Sequence, residues 1–180
     1  GGLIETSGHV LSLEGINLDA SAFSGDDGLW LLDPVNINIG GPGSNVSGAA
    51  ISAALANNHV TLYTTAAGMC ANVSCTGLSG SQGDINIHDS IIVTTQNENR
   101  LTFKAEGSIV AHTGVQIKTN GADIVFWANS ESLNGGYILT GQNVVLDTRV
   151  GNPATQPTTG GGDIHWAAGR DTNNDGYPDD

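Results

Sequence analysis

The sequence predicts an all-β fold, a parallel β-helix (β-solenoid) with one short helix near residues 49–56. Three observations point there. Short runs of alternating apolar and polar residues succeed one another, each bounded by Gly or Asn. Apolar positions recur at a common interval: Ile92, Val115 and Ile138 are spaced by 23 residues, as are Leu101 and Ile124. One coil of a solenoid, holding about three short strands, needs an interval of that size. Finally, 26 glycines and a charged fraction of only 13% leave Asn, Ser and Thr as the polar surface, which suits turn-rich β-structure rather than a coiled coil or a charged tail.

Taken in order, Leu3 to Thr6 opens as a strand after Gly1-Gly2. Leu11 and Leu13, then Ile16 and Leu18, form paired inward positions around Gly15. Ile37 and Ile39 alternate with Asn36 and Asn38, and Val60 and Leu62 with Thr61 and Tyr63. Between them Ala49 to Ala56 is alanine-rich and follows Ser47-Gly48, so it reads as two turns of helix resting on the side or end of the solenoid. From Gly83 onward the strands come densely: Ile85 with Ile87, Leu101 with Phe103 and Ala105, Val115 with Ile117, and Ile124 with Phe126 and Ala128. Stacking at the common interval places Ile92, Val115 and Ile138 in one internal ladder. The organisation is therefore a β-helix over residues 1–150, a Gly/Pro/Thr-rich loop over 151–162, and a final strand with an acidic tail over 163–180.

An ordered set of segments carries a family resemblance. Glu5-Thr6-Ser7-Gly8 precedes Gly28-Leu29-Trp30-Leu31-Leu32-Asp33-Pro34-Val35-Asn36-Ile37, and Ile51 to Leu55, Val60 to Thr65 and Gly83 to Ile87 follow. That series resembles the filamentous-haemagglutinin type of exoprotein, the large adhesins secreted by the two-partner route, over roughly residues 1–110. The resemblance implies a right-handed parallel β-helix, export through an outer-membrane partner, and a role in adhesion or surface structure. It implies no catalytic residues.

The candidate sites are few. Asp171, Asn173, Asp175, Tyr177 and Asp179 follow the D-x-[DN]-x-[DN]-G start of a calcium loop, with Gly176 at the sharp turn. Alternate oxygen side chains converge on one ion in such a loop, and the stretch resembles the calcium repeats of thrombospondin type 3 and dockerin modules. An acidic, solvated tail is the plain alternative. Cys70 and Cys75, the two cysteines of the chain, suggest a local disulfide and an oxidising compartment, with two unpaired thiols as the plain alternative. Asp26, Asp27 and Asp33 read as a polar turn before they read as a second cation site. Trp30 reads as a core residue. His88 and His112 lie one coil apart and are placed to stack on one face, where a metal or haem role would require convergence.

A net charge of −13 opposes nucleic acid and anionic membrane as partners. The five basic residues, Arg100, Lys104, Lys118, Arg149 and Arg170, are spread over different coils, and no acid pair stands out as general acid and base. The functional expectation is a secreted, non-enzymatic structural or adhesive module. Its expected partners are flanking repeats or identical subunits end to end, and a host-cell or carbohydrate receptor. The rival is a polysaccharide-binding or polysaccharide-degrading β-helix.

Overall fold

The computed structural model describes residues 1–8, 11–65, 83–131, 136–151 and 160–173. Their strands form three parallel sheets, and every strand pairs with the strand one coil away, so the fold is a parallel β-helix. The first sheet stacks β1 (Leu3–Ser7), β2 (Leu29–Asp33), β4 (His59–Thr64), β7 (Leu101–Ala105), β10 (Ile124–Ala128) and β13 (Ile164–Ala168) in that order. The second stacks β3 (Ile37–Ile39), β5 (Ile85–Ile87), β8 (Ile109–Ala111) and β11 (Ile138–Thr140). The third holds β6 (Ile91–Ile92), β9 (Gln116–Lys118) and β12 (Val145–Asp147).

Alternation produces the core. In a strand successive side chains leave on opposite faces, so in-register parallel stacking turns one inward residue per strand into a ladder along the axis. Trp30, Val60, Leu101 and Ile124 make one such ladder, and Leu32, Leu62, Phe103 and Phe126 the next; all are fully buried. The Phe103 and Phe126 rings stack with centroids 5.0 Å apart. The Trp30 indole N–H donates to Thr6 Oγ1 at 3.0 Å, which satisfies its one polar atom inside the core.

Helix α1 (Gly48–Leu55) stands where the third sheet would otherwise have a strand one coil before β6. Ser47 caps it by accepting the Ala50 N–H at 3.1 Å. Ser52 Oγ accepts the Ile92 N–H at 2.8 Å, so the helix takes up the donor that a neighbouring strand would have paired. Ile51 and Leu55 are fully buried beneath the stack.

Two sequence expectations are corrected. Ile92, Val115 and Ile138 do not form a ladder: Ile92 pairs with Lys118 and is 45% exposed, while Ile138 pairs with Ile109. The 23-residue interval holds between Leu101 and Ile124, but Val60 pairs with Leu101 and Ile124 with Ile164, so coil length varies as loops lengthen. Leu11, Leu13 and Leu18 do turn inward as read, but neither they nor Ile16 belong to a strand. They lie on an irregular segment that finishes the first coil, with Leu11, Leu13 and Leu18 packed against the core.

Candidate functional site

The segments entering β2, β4 and β7 meet at one corner of three successive coils. Residues 25–27, 56–59 and 96–99 there enclose an open polar cleft of about 560 Å³. Its floor is locked by hydrogen bonds. Asp27 accepts from the Ala22 N–H at 3.2 Å and from Asn99 Nδ2 at 3.1 Å. Asn99 also donates to the Leu55 carbonyl, and Asn97 to the Thr119 carbonyl at 3.0 Å. His59 Nδ1 accepts the Arg100 N–H at 3.0 Å, which in the neutral ring leaves the proton on Nε2. Among the described residues, the side chains of Asp26, Gln96 and Glu98 make no hydrogen bond across this floor. The cleft thus combines a fixed base, His59 included, with carboxylate and carboxamide groups of Asp26, Glu98 and Gln96 that the floor does not engage.

A second feature runs along the outer face of the first sheet. Lys104 Nζ lies 4.9 Å from the Tyr63 ring and 4.3 Å from the Trp127 ring, between rows that register in β4, β7 and β10. The Trp127 indole N–H donates to the Gly169 carbonyl, and Tyr63 Oη to Glu106 at 3.5 Å. Burial pushes the Tyr63 hydroxyl up to about 12, with Glu106, Glu131 and Asp33 adding to the effect, so it stays protonated as a donor. These groups satisfy one another and tie three coils together. Asp33 sits nearby with one carboxylate oxygen buried and without a partner among the described residues. Burial, then the charge of Glu5, raises its carboxyl above the ordinary range.

His88 and His112 come together as the sequence places them. Their rings stack at 3.8 Å with a 16° angle between planes. The lower ring fits because position 41 is glycine at φ 71°, where a Cβ would lie 2.8 Å from the His88 ring. Burial, then the neighbouring His88, holds His112 below its ordinary value. Among the described residues no three His, Cys, Asp or Glu side chains converge as a metal site, so neither this pair nor Asp26, Asp27 and Asp33 forms one.

Of the predicted calcium ligands, Asp171 and Asn173 are described just beyond β13; Asp175, Tyr177 and Asp179 lie outside the described residues, as do Cys70 and Cys75. Trp30 is core, as expected. Sequence reading missed the corner cleft, because its residues come from three loops whose spacing follows no repeat.

Over 94 residues, 52% of its length, the chain is 31% identical to "Probable outer membrane protein pmp21" of Chlamydia pneumoniae. The matched part is 6% of that protein, so the chain spans a small fraction of the relative's length. No family model matches the chain. No solved structure matches it either. Among the described residues no helix is long and apolar enough to cross a membrane.

Proposed function

We propose that the chain is an extracellular structural and adhesive β-solenoid module of a large secreted bacterial exoprotein of the filamentous-haemagglutinin type, a length of stalk or of surface filament. The observation that supports this reading best is the in-register parallel stack, whose outer strands β1 and β13 are each paired on one side only among the described residues, with Leu3, Ile164 and Trp166 62%, 43% and 44% exposed. An open edge of this kind is a template for a further strand. In this proposal flanking coils or an identical subunit continue it. The partial likeness to a probable outer membrane protein agrees with a surface location.

The module works by extension and contact, not by turnover. Calcium held by Asp171, Asn173, Asp175, Tyr177 and Asp179 stiffens the junction beyond β13. Secretion in an oxidised form with Cys70 joined to Cys75 belongs to the same reading. Antibody against the chain should label intact cells without permeabilisation, and beads coated with it should adhere to host cells or glycan surfaces. Labelling that requires permeabilised cells overturns the surface reading, and turnover of a polysaccharide panel overturns the non-enzymatic one. An unchanged melting temperature on calcium chelation rejects the structural ion.

A further inference from the structure

We infer that the corner cleft bounded by Asp26, His59, Gln96 and Glu98 is a saccharide-binding site for neutral or amino sugars. The inference rests on the adhesive reading and gives it a location. Three properties of the cleft select this class of ligand. Its uncommitted groups are mixed: the Asp26 and Glu98 carboxylates accept hydrogen bonds, the Gln96 amide does both, and His59 Nε2–H donates. Sugar hydroxyls, which donate and accept at once, are the ligand groups that can use all of them. A volume of about 560 Å³ suits one or a few sugar rings.

Other ligand classes fit less well. An inner-sphere metal needs convergent ligands, and among the described residues none converge. An acyl chain or other apolar ligand would find one apolar lining side chain, Ala56. Uronate, sialylated or sulfated glycans would meet the carboxylates of Asp26, Asp27 and Glu98 in a chain of net charge −13. An ammonium group, in contrast, is favoured there.

The fixed floor means that the site is formed before the ligand arrives, which lowers the ordering cost of binding.

Calorimetric titration of the whole chain with cellotetraose, a chitosan tetramer and an oligogalacturonate tests the assignment. At least one of the first two should bind and the third should not. Glu98→Gln and Asp26→Asn should each weaken binding by about tenfold or more with an unchanged melting temperature. Lys118→Ala, on a different sheet, should leave it intact. Failure of both neutral and amino sugars at millimolar concentration overturns the inference, as does binding that both cleft variants retain. Bead adhesion separates this site from the broader function. Equal adhesion by wild type and cleft variants defeats the cleft while the adhesive reading stands; sugar binding without adhesion does the reverse.

Discussion

At the N-terminal end of the stack the polypeptide completes its coil with loop and helix, and side chains take over the hydrogen bonds that strands would make. Asn58, fully buried, accepts the Ala20 N–H and donates to the carbonyls of Leu18 and Ala54; Asn45 donates to the Leu11 carbonyl at 3.1 Å. Around β13 the inward residues Ile164 and Trp166 remain partly in water among the described residues. The same alternating pattern builds both coils. What differs among the described residues is that amide side chains and a helix pack the other two sides of the first coils, while the outer edges of β1 and β13 are alike unpaired.

The contrast is sharpest in the core beneath the helix. Leu55 is fully buried, so Leu55→Ala should cost about 3 kcal/mol in urea unfolding, transfer loss and cavity together. A loss below about 1 kcal/mol would show that α1 is not a fixed part of the cap. Next in size is Asn58→Ala. Removing one amide strands the Ala20 N–H and the Leu18 carbonyl, while the Ala54 carbonyl keeps the Asn57 N–H, at a cost of about 2 kcal/mol. Hydrogen exchange should accelerate first over residues 11–20; uniform acceleration over every coil would break the idea of a local cap.

At the opposite end the larger side chain should matter less. Trp166 touches Phe126 with ring centroids 4.9 Å apart but is 44% exposed, so Trp166→Ala should cost about 1 kcal/mol. A cost equal to that of Leu55→Ala would mean that something already covers this end in solution. The variant should also reduce any concentration-dependent association if the bare end pairs with another subunit.

Residue pattern disclosed the strands because period-two alternation survives whatever the loops do. Ile37 with Ile39, Val60 with Leu62, Ile85 with Ile87, and Leu101 with Phe103 all face inward as read. It disclosed the His88–His112 stack because no long loop intervenes between β5 and β8, which pair in direct register. It failed at phase. Ile92 matched Val115 and Ile138 in spacing but not in position along a turn, since equal intervals can join different sheets. It also failed at the cap and the corner cleft. The amide of Asn58 reaches back across 40 residues to Leu18, and the cleft draws Asp26, His59 and Glu98 from loops of unequal length, so neither leaves a periodic trace.

The smallest expected effect belongs to neither end and tests whether acid weakens the stack from its middle. His112 is held below its ordinary value of 6.5, first by burial and then by His88, so the folded chain resists taking up that proton. The unfolded chain does not resist. Above about pH 6.5 both states are neutral at this residue and its contribution to stability is whole. As the pH falls from there the unfolded state gains a proton first, and stability declines until the folded state is protonated as well. His112→Gln removes the titrating group and should flatten the stability profile below about pH 6.5. His88→Gln leaves the burial but takes away the neighbouring charge, so it should flatten the profile only in part. The ordering follows from burial being the larger cause, and identical slopes in the wild type and His112→Gln would place the acid response elsewhere.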